Sequence, residues 1–305
     1  MILLSSVKNL SPNDGVAMKY VYICLLLCLT SMGANKKIVL VAGKDSHRYG
    51  DHEFRAGCHL LADRLKKSKL PLEVTVVEER NWPSDNSIFE EADAIIVYSD
   101  GAHKHPLESK KLFSFMDGLM AKGKSVGFMH YACEVKDDKG PNMIKWIGGY
   151  YQKGVSINPH WVCSSILNKK HPATQGVGNF KLKDEWYFNI KFGKDVVAVL
   201  QGIPDDEARS GKTSWPRGPQ KHILKHRGRT ETLLWTLERA DGGRGFGFTG
   251  GHVHWNWKND HYRKLILNTI VWTAGLPIPA GGVPSSTPTQ EEMEANMKPK
   301  KKAKK

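Results

Sequence analysis

The segment GFGFTGGHVHWNW, residues 245–257, brings together side chains that are able to do chemistry. His252 and His254 are two residues apart, and such residues point to the same side of an extended segment. Gly250 and Gly251 allow the backbone before them to turn and to approach a ligand closely. Histidine is the commonest side chain for transition-metal ligation and for proton transfer near neutral pH. We interpret the pair as metal ligands, as acid–base groups or as structural histidines.

Two tryptophans in the same segment indicate a class of ligand. Trp255 and Trp257 offer flat apolar faces, which are the usual partners for the C–H face of a sugar ring. We expect these two residues to contact a small carbohydrate.

The elements that must position these residues alternate between strands and helices. Short β-branched runs predict buried strands at KKIVLVAG, LEVTVVEE, ADAIIVYSDG and SVGFMHYA. Apolar residues at helical spacing predict helices at DHEFRAGCHLLADRLKKS, PLESKKLFSFMDGLMAKGK and NDHYRKLILNTIVWTAGL. Residues 140–195 are irregular, and further strands are predicted at VVAVLQG, HILKH, TLLWTLE and GFGFTG. Continuous apolar strands separated by helices predict an α/β fold with a parallel sheet.

Polar residues concentrate where the predicted strands end, and open α/β sheets bind ligands outside the carboxyl ends of their strands. GKDSHRYGDH, SDGAHKHP and HYACE follow the first, third and fourth strands. We expect these loops and the GGHVH loop to meet at one rim. The candidate catalytic groups are His47, His130 and Glu185. The candidate ligands of a divalent Zn, Mn or Fe ion are His130, His252 and His254. Asp100 and His103 are the candidate substrate contacts.

The amino terminus has the pattern of a secretory signal peptide. Lys19 precedes the apolar run YVYICLLLCLTSMGA, which ends in small residues and is too short to span a bilayer comfortably. We expect residues 1–34 to be removed on export, with residues 1–17 a misannotated start if Met18 begins the protein. An uncleaved anchor and a lipoprotein site at Cys28 are the alternatives.

Composition and charge exclude several classes of protein. The chain has 305 residues, is 40% hydrophobic and has a mean hydropathy of −0.44, which excludes a multi-span membrane protein. The net charge is +14, but six lysines lie in the last eight residues and no nucleic-acid-binding motif is present. Residues 284–305 are predicted to be a disordered basic tail. Three cysteines remain after export, too few and too widely spaced for a disulfide framework.

Several blocks together resemble the ThuA-like (trehalose-utilisation) family: VLVAGKDSHRYGDHEF, ADAIIVYSDG, VGFMHYACE, HPATQGVGNFKLKDEWYFNIKF and GRGFGFTGGHVHWNW. The similarity spans roughly residues 36–283, so we expect one ThuA-like domain over residues 35–283. The family resembles class I glutamine amidotransferases, which implies a flavodoxin-like three-layer sandwich with a mostly parallel sheet and a small irregular β-rich insertion. It also implies a role in carbohydrate catabolism, on a keto-sugar or a glycoside. No nucleotide cofactor is expected.

The sequence is consistent with three functions. The first is an exported carbohydrate enzyme with a His-rich, metal-dependent pocket, and the second is a non-catalytic sugar-binding module. The third is a hydrolase with Cys133 as an elbow nucleophile, because Cys133 follows a parallel strand as in amidotransferase-like folds. An elbow requires small residues on both sides, whereas Ala132 and Glu134 flank this cysteine. A buried thiol is therefore the favoured interpretation of Cys133.

Overall fold

The structure is a computed structural model that describes residues 34–79 and 85–299. The signal-peptide prediction, including the alternative start at Met18, lies outside the described residues except at residue 34. The last six residues of the basic tail also lie outside them. Within the described ranges, no helix is long and apolar enough to cross a membrane.

The described residues form twelve strands and eight α-helices. The strands are β1 (Lys36–Ala42), β2 (Leu72–Glu78), β3 (Ala94–Tyr98), β4 (Ser125–Met129), β5 (Gly149–Tyr150), β6 (His160–Ser164), β7 (Ile166–Leu167), β8 (Lys181–Glu185), β9 (Lys191–Phe192), β10 (Val197–Gly202), β11 (Glu231–Glu238) and β12 (Arg244–Phe248). The helices are α1 (Phe54–Lys67), α2 (Ser87–Glu90), α3 (Lys110–Ala121), α4 (Gly140–Ile147), α5 (Asp206–Arg209), α6 (Lys221–Leu224), α7 (Asp260–Thr273) and α8 (Gln290–Glu294).

Eight of these strands form one sheet in the order β2-β1-β3-β4-β12-β11-β10-β7. The first five strands pair in parallel, and the last three pair antiparallel. Counting only the parallel part, the order is 2-1-3-4-5, which is that of the flavodoxin-like doubly wound fold. The predicted fold class is therefore confirmed.

Helices cover both faces of the sheet because the parallel strands are apolar on both faces. On one face, Ile38 and Leu40 of β1 belong to the same core cluster as residues of α1 and α7. On the other face, Val39 and Val41 join residues of α3 and α4. The strand–helix alternation of the sequence thus produces three layers, as expected from strands buried on both sides.

A β-rich insertion lies between α4 and β11. It contains two small antiparallel sheets, β5 with β9 and β6 with β8, in addition to the edge strands of the main sheet. One predicted strand is wrong, because HILKH forms part of helix α6 and the residues that follow it. Ile223 is the buried residue of this four-residue helix.

The predicted disorder of residues 284–305 is wrong over the part of the tail that the structure describes. Thr289 and Glu292 form a capping box at the start of α8, so TQEE is the start signal of a short helix. Met293 of this helix is fully buried in the core cluster that contains α1 and α7. The sequence carries the capping signal, but only the fold reveals the apolar surface that receives Met293.

Candidate active site

The candidate site lies where the strand order reverses between β1 and β3. In this fold class, the loops that follow those two strands flank the ligand-binding crevice. The loop after β1 runs through Ser46 and His52 into helix α1, and the loop after β3 begins with Ser99 and Asp100. The loop after β12, which carries His252, pairs with the first of these through a bridge between Asp51 and Val253. Three strand ends therefore deliver polar side chains to one place.

Three histidines and one glutamate converge at the base of this crevice: His52, His130, Glu185 and His252. One donor atom from each lies within 4.8 Å of the others. His52 Nε2 is 3.0 Å from both His130 Nε2 and His252 Nδ1. Glu185 Oε2 is 2.9 Å from His252 Nδ1 and 3.5 Å from His130 Nε2. The histidines are buried, and the Glu185 side chain is 12% exposed.

The outer hydrogen bonds of the rings determine which nitrogens face inward with lone pairs. His52 Nδ1 lies 2.8 Å from Asp100 Oδ1, and His130 Nδ1 lies 3.1 Å from the Thr249 carbonyl oxygen. Because carboxylate and carbonyl oxygens only accept, each Nδ1 carries the hydrogen, and each Nε2 presents a lone pair. Two lone pairs then face each other at 3.0 Å. A cation or a shared proton would satisfy both nitrogens, and the Tyr187 hydroxyl lies 3.4 Å from His130 Nε2.

The backbone at the cluster is held in a conformation that non-glycine residues rarely adopt. His47, His52 and His130 have φ angles of 63°, 49° and 57°. Such left-handed conformations cost free energy and cluster at functional sites. His130 is the first residue after β4, which is the position of the strained turn in an elbow. The elbow position that the sequence suggested for Cys133 is thus occupied by His130.

Burial and charge shift the pKa values of the cluster in opposite directions. Burial lowers the pKa of His52 and that of His130 far below the usual range, and the neighbouring histidines lower both further. Burial also opposes a charge on His252, but hydrogen bonds to Asp51 and Glu185 outweigh it and raise the pKa of His252 to about 10. Burial and charge therefore favour the neutral forms of His52 and His130 and the protonated form of His252.

Asp184 positions the loop that carries His252. Its carboxylate is fully buried and accepts hydrogen bonds from the backbone N–H groups of Gly251 (2.9 Å) and Val253 (3.1 Å). Tyr262 of α7 donates a third hydrogen bond, at 3.0 Å. Gly251 has a φ of 106°, which a residue with a side chain rarely adopts. The turn at Gly251 and the Asp184 hydrogen bonds together direct His252 into the cluster.

Comparison with known families identifies the chain. A family model described as "ThuA: Trehalose utilisation" matches residues 38–273. The chain belongs to the ThuA family. Among the curated proteins that were compared, none matches the sequence.

Two solved structures agree with the family at the level of the fold. A ThuA-like protein from Parabacteroides merdae ATCC 43184 is 16% identical over 80% of this chain and 92% of its own, with a TM-score of 0.51. A ThuA-like protein from Bacteroides uniformis ATCC 8492 is 15% identical over 80% and 94%, also with a TM-score of 0.51. A glutamine amidotransferase from Thermotoga maritima is 8% identical over 79% and 96%, with a TM-score of 0.40.

The structure of this ThuA-family chain does not bring His254 to the cluster. The expectation that His252 and His254 face one pocket is wrong because a 3-10 helix begins at His254, so the segment is not extended. His254 Nε2 donates instead to the carbonyl oxygen of Met293, at 2.7 Å. His130 and His252 do meet, with ring centroids 5.4 Å apart.

The tryptophans of the segment are also placed differently from the prediction. Trp257 is fully buried and packs against Tyr98 and Tyr262, so it belongs to the core. Trp255 is partly buried and packs over Gly50. A side chain at position 50 would not fit there, because its Cβ atom would lie 2.7 Å from Trp255 Nε1. The buried position of Trp257 excludes it as a surface for a sugar ring.

The remaining predicted site residues divide between the cluster and a neighbouring cleft. Asp100 accepts hydrogen bonds from His52 Nδ1 at 2.8 Å and from Ser46 Oγ at 2.9 Å. His103 is exposed and lines, with Asp100, a separate cleft of about 560 Å³. His47 is exposed beside the cluster, with its ring centroid 3.7 Å from that of His52. Glu185 lies in the cluster, at the end of β8.

A cleft of about 500 Å³ opens directly onto the cluster and contains residues that sequence reasoning did not select. His160 lies opposite Glu185 in the β6–β8 pair, and its ring is 4.7 Å from that of His252. Trp215 lines the same cleft and is 77% exposed. His52, the central histidine of the cluster, is not among the site residues that the sequence predicted. Its one signal was its place between a strand end and a helix start.

Cys133 is not available as a nucleophile. Its side chain is fully buried, and Sγ lies 3.3 Å from the Phe128 carbonyl oxygen. Burial raises the pKa of the thiol to about 12. A reactive cysteine requires an accessible thiolate, so the geometry excludes the cysteine-based hydrolase.

Proposed function

We propose that this ThuA-family chain is a metal-dependent enzyme of carbohydrate catabolism that acts on a keto-sugar or a glycoside. The observation that carries the proposal is the convergence of ring nitrogens whose hydrogens point outward. The lone pairs of His52 and His130 meet at one point, beside His252 Nδ1 and a carboxylate oxygen. A divalent cation satisfies all of these groups at once.

The spacing of the donor atoms fits such an ion. Ligand atoms held about 2.1 Å from one ion lie roughly 3.0 to 3.4 Å from their neighbours. The four neighbouring donor pairs here are 3.0, 3.0, 2.9 and 3.5 Å apart. Three imidazoles and one carboxylate suit Zn, Mn or Fe.

The outer hydrogen bonds are those that metal-ligating histidines require. Asp100 accepts from His52, and a backbone carbonyl accepts from His130. Asp51 lies 3.6 Å from the outer nitrogen of His252. Such partners fix the tautomer and the orientation of each ring, and they make the inner nitrogen a better ligand.

The chain's other groups then bind and orient the sugar. A metal held by the cluster would polarise a carbonyl or hydroxyl oxygen of the sugar. His47 and His160 line the cleft beside the cluster, where a histidine can move a proton to or from the bound sugar. Trp215 offers an exposed indole face at the same cleft for the apolar face of a sugar ring.

Elemental analysis of the purified protein tests the metal. We expect about one equivalent of a transition metal in the wild type and little in His252→Ala. His254→Gln is the matched control, because it changes the histidine two residues away and retains a donor for the Met293 carbonyl oxygen. Equal metal content in His252→Ala and the wild type would contradict the ligand assignment.

Turnover assays distinguish an enzyme from a sugar-binding module. The metal-loaded protein is mixed with keto-disaccharides and with the parent glycosides, and products are separated by chromatography. We expect turnover that a chelator removes and that added metal restores. Sugar binding without any product would support the non-catalytic module.

We also propose that the protein is exported. The support is the sequence pattern from Lys19 to Ala34, a basic residue followed by an apolar run and small residues. Sequencing the amino terminus of material recovered outside the cytoplasm should begin near Ala34 or Asn35. Recovery of only intact chain inside the cell would contradict export.

A further inference from the structure

The C-terminal segment lies across the loop that carries His47 and His52. Lys298 Nζ donates hydrogen bonds to the carbonyl oxygens of Ser46 (2.7 Å) and Asp51 (2.6 Å). A single ammonium group thus joins the two ends of the loop segment 46–51. The contacts are separated by about 250 residues in sequence, so no local pattern encodes them.

The same ammonium group compensates a buried charge. Glu53 is fully buried, and its carboxylate lies 3.3 Å from Lys298 Nζ. It also accepts from the backbone N–H of Lys298 at 3.0 Å and from that of Gly50 at 2.9 Å. Since an unpaired buried carboxylate is costly, Lys298 and Glu53 require each other.

Both residues that accept from Lys298, Ser46 and Asp51, are also connected to histidines of the cluster. Ser46 donates from its hydroxyl to Asp100 at 2.9 Å, and Asp100 in turn accepts from His52. Asp51 precedes His52 and lies 3.6 Å from His252. His52 itself has a φ of 49°, a conformation that persists only where the surroundings impose it.

Helix α8 fixes the segment in place before it reaches Lys298. Met293 is fully buried, and its carbonyl oxygen accepts from His254 at 2.7 Å. Glu292 pairs with the buried Arg64 of α1 at 2.5 and 3.1 Å. The segment therefore contacts helix α1, the loop of His254 and the loop of His52 together.

We infer that Lys298 is a positioning residue of the candidate active site, acting through the carbonyl oxygens of Ser46 and Asp51. It maintains the loop in the conformation that directs His52 toward His130 and His252. The consequence for metal affinity rests on the proposed function, whereas the consequence for the order of the loop does not.

The test uses the full chain with Lys298→Met and a matched control, Lys169→Met. Lys169 also donates to a backbone carbonyl oxygen, that of Val177 at 2.6 Å, but it lies outside the site. Amide hydrogen exchange of residues 46–53 is measured on the metal-free proteins. We expect at least tenfold faster exchange in Lys298→Met and no change there in Lys169→Met. Unchanged exchange in Lys298→Met would overturn the inference, whatever the outcome for the metal.

Zinc affinity is measured on the same proteins by competition with a chromophoric chelator. We expect the Kd of Lys298→Met to rise about tenfold or more, as when an outer partner of a metal ligand is lost. Faster exchange with no zinc binding in any protein, the wild type included, would contradict the proposed function and leave the positioning role standing. Faster exchange with an unchanged zinc Kd would overturn the link between the loop and the metal.

The double variant Glu53→Gln/Lys298→Met separates positioning from charge compensation, and it covers the case in which Lys298→Met does not fold. It removes both charges, so no unpaired carboxylate stays buried. We expect the loop to exchange rapidly in the double variant as well. Wild-type protection and zinc affinity in the double variant would mean that Lys298 only neutralises Glu53, which overturns the positioning role.

Discussion

Replacing Asp184 with asparagine tests how the loop of His252 is held. Each carboxylate oxygen accepts two hydrogen bonds: Oδ1 from the backbone N–H groups of Val253 (3.1 Å) and Glu185 (2.9 Å), and Oδ2 from Gly251 (2.9 Å) and Tyr262 (3.0 Å). Asparagine has one oxygen and one NH₂ group. Whichever way the amide turns, at least one backbone N–H then faces a donor, because only the Tyr262 hydroxyl can turn to accept.

The cost follows from the lost hydrogen bond and from the lost charge. A hydrogen bond to a charged group contributes about 1.5–3 kcal/mol, so the loss of one costs at least that much, and the remaining hydrogen bonds weaken because their acceptor is neutral. The whole free energy of unfolding of a typical domain is roughly 5–15 kcal/mol. We therefore expect Asp184→Asn to lose a large part of its stability, and His252 to lose its position in the cluster.

Urea unfolding of Asp184→Asn, followed by circular dichroism, measures this loss. Tyr262→Phe is the control, because it removes one hydrogen bond without placing a donor against another donor. We expect the control to lose about 1.5–3 kcal/mol, less than the asparagine variant. A loss below about 1 kcal/mol in Asp184→Asn would refute the reasoning, since the amide would then satisfy the loop as well as the carboxylate does.

Three further predictions concern the tail, the thiol and the cleft. Deleting residues 289–305 should lower the Tm by at least about 4 °C in a calorimetric scan, because loss of a buried methionine such as Met293 costs about 2–5 kcal/mol; an unchanged Tm would show that the segment contributes no stability. Cys133→Ala should keep any sugar turnover, since the thiol is buried, and a complete loss of turnover in a folded variant would argue for the nucleophile. Trp215→Ala should leave stability within about 0.5 kcal/mol and weaken sugar binding up to roughly tenfold in calorimetric titrations; an unchanged affinity would remove the tryptophan from the binding surface.

Local periodicity was sufficient to predict an α/β fold with a parallel sheet. β1, β3 and β4 are uninterrupted apolar runs, and they form the buried parallel centre of the sheet because such runs satisfy both faces. The same pattern located the rim, since the chain direction fixes which end of each strand is the carboxyl end. This basis predicted His130 and His252, and the structure brings them together with Glu185, which the family resemblance implied.

Side-chain direction in the loops depended on contacts that are distant in sequence. His252 points inward because Gly251 has a φ of 106° and because Asp184, 67 residues away, accepts from that glycine. His254 points away because the segment becomes a 3-10 helix and a carbonyl oxygen 39 residues later accepts from its ring. Spacing alone treated the two histidines as equivalent.

The tail and the aromatic residues show the same limit. The basic composition of residues 284–305 predicted disorder, yet Met293 and Lys298 find an apolar surface and a buried carboxylate on the folded domain. Trp257 and Trp215 are the same residue type in glycine- or proline-containing segments, but one is fully buried and the other is 77% exposed. Composition and periodicity determined which strands and helices form and which strand ends meet at the rim. Tertiary packing decided which side chains face the crevice, because burial and hydrogen-bond partners arise only when distant segments come together.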